Sequence, residues 1–205
     1  MFISLEGIDR SGKTTQANLL AEALGPETLL FREPGGTEVS ERIRAILKDP
    51  AIELDERTEL LLFCAARAEL VTRVIAPALK EGGAVVCDRF VDSTVAYQGV
   101  GRGLGVEVVE RLNELAAAGC EPDVTFLLRI SAEEAVARGQ LRLAQGLEDG
   151  ADRFEAEGIE FQRAIVEAYD EIAARHPERV RVVDASADPD AVHAAIMAEL
   201  AGVRT

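Results

Sequence analysis

Short runs of apolar residues alternate along the chain with longer segments in which apolar positions recur every three or four residues. The short runs predict β-strands buried on both faces, because strands of a parallel sheet are nearly continuous in hydrophobic residues. Five such strands are predicted, at residues 1–6, 28–32, 84–88, 124–130 and 180–184.

The longer periodic segments predict amphipathic helices between and after the strands. Strands that alternate with helices indicate an α/β fold, in which helices flank a five-stranded parallel sheet. With no internal repeat or low-complexity linker, residues 1–205 are expected to form one domain. The predicted helices cover residues 13–24, 39–47, 56–79, 106–118, 132 to about 143, 158–174 and 189–200.

Two glycine-containing segments interrupt this pattern. Residues 97–105 carry a glycine at every second position from 99 onward, which predicts a mobile loop and not a regular helix. Residues 145–152 are acidic and lie between two helical patterns, with Arg138, Arg142 and Arg153 beside them. A surface loop of this kind suits a small lid segment, at about residues 138–153.

Composition narrows the class of protein. Apolar residues make up 48% of the 205 residues and charged residues 29%, which is typical of globular proteins. No apolar run approaches the roughly 20 residues that a membrane-spanning helix needs, so no membrane partner is expected. The first residues lack the basic segment and apolar core of a secretory signal, which favours a cytoplasmic protein.

The net charge of −15 argues against nucleic acid polymers as partners, since binding to them depends on neutralising phosphates with Lys and Arg. A small phosphorylated ligand remains compatible with this charge. It would need a local cluster of cations in a cleft, where burial strengthens their effect relative to distant surface carboxylates.

The strongest motif is G-x-x-x-x-G-K-[ST], directly after the first predicted strand and before the first predicted helix. Its glycines let successive backbone N–H groups turn inward toward phosphates, while the helix N-terminus adds partial positive charge. The lysine reaches the β- and γ-phosphates, and the Thr hydroxyl offers a ligand to Mg²⁺. The motif predicts a P-loop NTPase fold and a nucleoside triphosphate site at Gly7, Ile8, Asp9, Arg10, Ser11, Gly12, Lys13 and Thr14.

Several other charged or aromatic residues each allow two interpretations, one functional and one structural. Asp88 closes the third predicted strand, where it could anchor the metal or cap the next helix. Arg89 could face the same cleft or form a surface salt bridge. Arg10 could stabilise the migrating phosphoryl group or be a solvated charge. Phe63 and Arg67 share a helix face: Phe63 is either core or a stacking platform, and Arg67 either binds a ligand carbonyl or forms an internal ion pair.

A P-loop does not by itself distinguish kinases, GTPases, motors and transport ATPases. The absence of Asn-Lys-x-Asp disfavours a guanine-specific switch protein, and the small size disfavours motors and transporters. Five segments together resemble the bacterial thymidylate kinases, in the order found in that family and over nearly the whole chain. They are residues 7–16, 31–37, 62–67, 88–90 and 93–99.

The resemblance implies Mg²⁺-dependent transfer of a phosphoryl group from ATP to thymidine monophosphate (dTMP), and a homodimer. By this analogy, Phe63 stacks on thymine, Arg67 bonds a base carbonyl, and Tyr97 excludes a ribose 2′-hydroxyl. The remaining implied roles are Arg32 and Arg89 at the acceptor phosphate, Pro34 at the base or sugar, Gln98 at the base or phosphate, and Asp9 at the 3′-hydroxyl or magnesium. Further implied contacts are Glu33, Ser93 and Thr94 with dTMP, Thr15, Arg138 and Ala185 with ATP, and Thr14, Asp88 and Asp9 with magnesium.

The family carries its catalytic arginine either in the P-loop or in the lid. This sequence has arginines in both places, and we favour Arg10, with Arg142 or Arg153 assisting. Lys13 and Arg89 complete the predicted catalytic set, which works by alignment and charge neutralisation. The alternatives are another pyrimidine nucleotide or nucleoside kinase on the same scaffold, or a non-catalytic nucleotide-binding switch module.

Overall fold

A five-stranded, all-parallel sheet forms the centre of the molecule, in a computed structural model that describes residues 1–146, 154 and 157–203. The strand order is β2-β3-β1-β4-β5. The P-loop strand β1 lies in the middle, with Leu5 beside Asp88 of β3 and beside Phe126 of β4. The strands are β1 (Phe2–Glu6), β2 (Leu29–Arg32), β3 (Val85–Asp88), β4 (Val124–Arg129) and β5 (Val180–Asp184).

Helices surround the sheet, and the predicted α/β class and strand number are confirmed. Several helices begin where a side chain caps the first free N–H groups: Thr37, Asp55, Ser131 and Asp188 each accept such a bond. The helices are α1 (Lys13–Leu24), α2 (Glu38–Lys48), α3 (Glu56–Leu70), α4 (Ala76–Lys80), α5 (Val91–Thr94), α6 (Val106–Ala117), α7 (Ala132–Ala144), α8 (Ile159–Arg175) and α9 (Pro189–Leu200).

The long helix predicted at residues 56–79 is one helical rod with an irregularity. A π-helical turn, Val71–Ile75, joins α3 to α4, and Pro77 lies in the first turn of α4. Proline lacks the N–H that an α-helix needs at an interior position, so a local change of winding before it is expected.

Strand β2 differs from the prediction that every strand is buried on both faces. Leu29, Leu30 and Arg32 are exposed, and only Phe31 is partly covered. The reason is its place at the edge of the sheet, beyond β3, which an apolar run in the sequence does not reveal.

The prediction of a mobile loop at residues 97–105 is wrong for the first part of this segment. A π-helix, Val95–Gly101, continues directly from α5, and Tyr97 and Gln98 are buried in it. The glycines here permit close packing: a Cβ on Gly101 would lie 2.8 Å from Ile165 and from the Phe161 ring. Only Gly103 and Gly105, with φ of 71° and 91°, make the turn into α6.

The structure describes residues 138–146 of the predicted lid, and residues 147–153 lie outside the described part of the chain. Its first part, Arg138 and Arg142, lies on α7, whereas Arg153 lies in the undescribed stretch. Within the described part of the chain, no helix is long and apolar enough to cross a membrane.

Candidate active site

A cavity of about 650 Å³ opens where the loops that follow β1, β2 and β3 meet α3 and α7. Ligands bind at the carboxyl ends of strands in open α/β sheets, so this is the expected edge. The predicted site residues that line it are Asp9, Arg10, Gly12, Lys13, Thr14, Thr15, Arg32, Glu33, Pro34, Phe63, Arg67, Asp88, Arg89, Ser93, Thr94, Tyr97, Gln98, Arg138 and Arg142.

The P-loop adopts a tight left-handed path between β1 and α1. Gly7 and Gly12 have φ of 138° and 97°, and a Cβ on Gly7 would lie 2.6 Å from the Leu128 carbonyl oxygen. Glycine is therefore required at Gly7 both for conformation and for space. Of the predicted loop residues, Gly7, Ile8 and Ser11 shape the loop without lining the cavity.

Lys13 is buried at the base of the P-loop. Its Nζ donates to the Ile8 carbonyl at 2.7 Å and lies 3.4 Å from Ser11 Oγ. Burial, reinforced by the charge of Arg89, lowers the pKa of Lys13 to about 8. An anionic phosphate in the cavity would compensate this buried charge.

Thr14 and Asp88 meet across the sheet edge. The Thr14 hydroxyl donates to Asp88 Oδ2 at 2.6 Å, which places two oxygen ligands side by side. Mg²⁺ prefers oxygen ligands and takes one or two from protein when phosphates supply others. The pair fits a magnesium ion, whereas both carboxylate oxygens of the predicted ligand Asp9 already accept bonds, from Arg89 and from the Tyr97 hydroxyl.

Arg89 connects the P-loop with the Tyr97 helix. Its Nη1 donates to the Gly7 carbonyl and to Ser93 Oγ, each at 3.1 Å, and its Nη2 contacts Asp9. Burial alone would raise the pKa of Asp9, but Arg89 and Lys13 hold it down at about 2. Arg89 itself has a φ of 73°, a conformation that is costly for a residue with a Cβ.

The Glu6 side chain stabilises the turn at Arg89 through hydrogen bonds to the residues that follow it. The sequence analysis did not predict this role. One carboxylate oxygen accepts from the Phe90 backbone N–H at 2.7 Å, and the other from Ser93 Oγ at 2.5 Å and the Tyr169 hydroxyl at 2.9 Å. Burial, followed by the charge of Asp92, raises the pKa of Glu6 to about 7. The only sequence signal was a charged residue at the end of an apolar strand.

The side chain of Arg67 is 1% exposed and pairs with buried Glu33, which confirms the predicted internal ion pair. Its Nε donates to Glu33 Oε2 at 2.8 Å and Nη1 to Asn113 Oδ1 at 2.5 Å. Nη2 donates to the Phe90 carbonyl at 3.0 Å and to Thr94 Oγ1 at 2.8 Å. Among the described residues these acceptors take four of five N–H groups, so one Nη1 hydrogen is left for a ligand. The two interpretations of Arg67 are therefore compatible.

Three aromatic side chains, Phe63, Tyr97 and Phe154, line the same cavity as Arg67. Phe63 is half-buried, and its ring packs edge-on against Phe154 at a centroid distance of 5.8 Å. Tyr97 packs against the opposite side of Phe154 at 6.1 Å. The Gln98 side chain follows, and its Nε2 donates to buried Glu59 at 2.9 Å.

The arginines on α7 lie beside the P-loop. Arg138 donates to the carbonyls of Arg10 at 3.3 Å and of Ala185 at 2.6 Å, so Ala185 meets the site through Arg138 and does not line the cavity. Arg10 lies against Gly139, where an added Cβ would come within 2.5 Å of its guanidinium carbon. Arg142 is exposed in the last turn of α7.

Arg32 was predicted to belong to the site, whereas Arg44 and several other residues that line the cavity were not. Arg32 lines the cavity but is half exposed and paired with Glu41, 3.2 Å away. Arg44, whose Nη1 donates to the Pro34 carbonyl at 2.9 Å, was missed because its helix, α2, carried no motif. The other cavity residues outside the prediction are Leu47, Lys48, Phe90, Leu141 and Phe154.

Comparison with known proteins agrees with this geometry. The family described as thymidylate kinase matches residues 5–196. A thymidylate kinase of Prosthecochloris aestuarii is 47% identical over 94% of this chain and 89% of its own length. One of Pelotomaculum thermopropionicum is 48% identical over 94% of this chain and 88% of its own.

Solved structures give the same result. The crystal structure of thymidylate kinase from Ehrlichia chaffeensis superposes with a TM-score of 0.79 at 35% identity, covering 98% of each chain. The P-loop, the Arg89 turn and the Phe63–Arg67 helix all fall inside the matched region. The chain therefore belongs to the thymidylate kinase family.

Proposed function

We propose that this protein transfers the γ-phosphoryl group of ATP to dTMP, giving dTDP. The observation that carries the proposal is Arg89: one guanidinium contacts the P-loop at Gly7 and Asp9 and the acceptor side at Ser93 and Tyr97. A cation at this junction lies where donor and acceptor phosphates would meet. Its charge would offset the repulsion between them.

The two ends of the cavity suit the two nucleotides. The P-loop amides and Lys13 form an anion site for the ATP phosphates. The ring of Phe63 and the remaining donor of Arg67 suit a flat base with carbonyl acceptors. The buried Tyr97 side chain, with its hydroxyl 3.0 Å from Asp9, narrows the space where the sugar would lie and supports the exclusion of ribose.

Magnesium is part of the proposal. Thr14 and Asp88 would hold it, and it would supply positive charge to neutralise the nucleotide phosphates. The chain's own residues supply the rest: Lys13 and Arg10 face the ATP side, and Arg89 orients the acceptor phosphate. A monophosphate oxygen is already a nucleophile near neutral pH, so alignment accounts for most of the catalysis.

A coupled assay for nucleoside diphosphate formation from ATP tests the function, with dTMP, dUMP, dCMP and thymidine compared as acceptors. We expect dTMP to be the preferred acceptor and activity to disappear with EDTA. A preference for another acceptor would favour a different pyrimidine nucleotide or nucleoside kinase. Nucleotide binding without turnover would favour the switch module.

Replacement of Gly139 by Ala tests whether Arg10 meets the transferred phosphoryl group. The new methyl group would displace the Arg10 guanidinium, while the helix itself should gain stability because Ala is the better helix former. We expect kcat to fall by about 10- to 100-fold, as for other small misplacements of catalytic groups. The KM for dTMP should change little.

A matched control for this variant is Val136→Ala, an exposed position on the same helix, which should retain wild-type kinetics. If Gly139→Ala retained wild-type kcat at unchanged stability, the α7 arginines would have to serve the phosphoryl group instead of Arg10.

We also propose a homodimer through α3 and α6. These two helices pack together and present Leu61, Val108 and Leu115 to solvent, with exposed fractions of 55%, 53% and 78%. Val108 and Leu115 are seven residues apart and so share a face. An apolar patch shared by two packed helices suits a symmetric contact with a second copy.

Sedimentation measurements on the wild type and on Leu115→Glu test this interface. We expect the wild type to sediment as a dimer and the variant as a folded monomer, because a carboxylate there would have to be desolvated on association. A wild-type monomer at micromolar concentrations would contradict the proposal. The exposed Val182 of β5 offers the control Val182→Glu, which should leave the dimer intact.

A further inference from the structure

We propose that Glu59 is a positioning residue that sets which pyrimidine the acceptor site accepts. By holding the amide nitrogen of Gln98, it leaves the Gln98 carbonyl oxygen to receive a ring N–H, and so favours a 4-keto over a 4-amino pyrimidine monophosphate. The inference rests on the proposed function, because it concerns how the same acceptor site distinguishes bases.

Glu59 lies on α3, one turn before Phe63, and is 1% exposed. Its Oε1 accepts from Gln98 Nε2 at 2.9 Å and from Arg102 Nε at 3.2 Å. Gln98 is also 1% exposed, yet it lines the cavity. The amide thus has a protein partner on one side and the acceptor site on the other.

The contact with Glu59 determines the orientation of the Gln98 side-chain amide. An amide has one end that donates and one that accepts, and the two are nearly identical in shape. An ionised carboxylate only accepts, so Gln98 must turn its nitrogen toward Glu59. The reversed amide would set two acceptors against each other in a buried place, and the hydrogen bond between them would be lost.

Arg102 is a second partner of the Glu59 carboxylate. Its Nε and Nη2 lie 3.2 and 3.5 Å from the two carboxylate oxygens, and its Nη1 contacts Glu157. The guanidinium also lies over the rings of Phe154 and Phe161, 5.6 and 5.2 Å from their centroids. Packed in this way, Arg102 holds the Glu59 carboxylate in place beside Gln98.

The base edge that fits this arrangement has a central N–H. Thymine and uracil carry a protonated N3 between two carbonyls, whereas cytosine carries an unprotonated N3 and an amino group. The Gln98 carbonyl would accept from N3–H, and the remaining Arg67 donor would bond a carbonyl. With cytosine the Gln98 carbonyl would face a lone pair, and a site built to hydrogen-bond its substrate rejects such an analogue strongly.

The test is Glu59→Met, which keeps the length of the side chain but removes the acceptor, so that the Gln98 amide can reverse. We expect the ratio of kcat/KM for dTMP to that for dCMP to fall by at least about 10-fold. The change should lie mainly in a higher KM for dTMP, with kcat little altered. The matched control is Glu56→Met, exposed on the first turn of the same helix, which should leave the ratio unchanged.

A second variant distinguishes orientation from structural support and remains informative if Glu59→Met does not fold. The double exchange Glu59→Gln/Gln98→Glu restores a donor–acceptor pair and a carboxylate near Arg102, with an acceptor-only group again facing the base. We expect it to keep the preference for dTMP over dCMP within a few fold of the wild type.

The outcomes separate this inference from the proposed function. If Glu59→Met is active and keeps the wild-type ratio, or if the double exchange folds without preference for dTMP, the role of Glu59 is wrong while the kinase activity stands. If the wild type itself does not phosphorylate dTMP, the proposed function fails first.

Discussion

Turnover should fall by about 10²–10³ when Lys13 is replaced by Met, because a buried cation that neutralises transferring phosphates is removed. The KM for dTMP should change little, since the Lys13 ammonium contacts the P-loop and not the base end of the cavity. Steady-state kinetics with each substrate varied in turn measures both effects. Loss of dTMP affinity with normal kcat would contradict the assignment.

The same substitution should not destabilise the protein without ligand. The pKa of Lys13 is lowered from 10.5 to about 8 by burial, so below pH 8 the lysine is charged in both states and its charge is less favourable in the folded than in the unfolded state. Its contribution to stability is present above pH 10.5 and is lost as pH falls through about 8. Urea unfolding at pH 7 should therefore find Lys13→Met at least as stable as the wild type, and Lys80→Met, at an exposed lysine, is the control for both measurements.

The largest loss of stability is expected for Arg67→Met. Removal of this guanidinium leaves Glu33 buried without its cation, together with the acceptors on Asn113, Phe90 and Thr94. Breaking one partner of a buried ion pair costs about 3–5 kcal/mol. Denaturant unfolding should show this decrease, and the preference for dTMP should weaken in parallel.

The double variant Arg67→Met/Glu33→Gln tests the cause of the decrease. Removal of the second charge should recover part of the lost stability without recovering dTMP binding. A single variant that loses less than about 1 kcal/mol, the value of an exposed pair, would show that the cluster does not behave as a buried network. Arg57→Met, on an exposed arginine of the same helix, controls for helix effects.

Much of the fold could be predicted because its signals are local. The apolar runs of β1 and β3 and the periodic segments of α2 and α9 locate those elements within one or two residues. The P-loop is a contiguous motif, so its place between β1 and α1 followed directly. The edge position of β2 depends on strand order, which the apolar pattern does not contain.

The parts of the site that escaped prediction depend on contacts between distant segments. Glu6 reaches Phe90 and Tyr169, which lie 84 and 163 residues away. Such carboxylates look like ordinary charges in the sequence, because nothing nearby shows that they will be buried. The π-helix at Val95–Gly101 was not predicted because its glycines, taken alone, indicate a loop. Packing against α8, a distant segment, stabilises a helical path there.

The ring of acceptors around Arg67 has a consequence for ligand recognition. Because Glu33, Asn113 and Thr94 already fix the guanidinium plane, a pyrimidine bound in the proposed acceptor site would meet a rigid template and lose little affinity to reorganisation of the pocket. An inhibitor would therefore gain most by matching the single remaining donor direction. Analogues that require this arginine to swing aside should bind poorly, however well they stack.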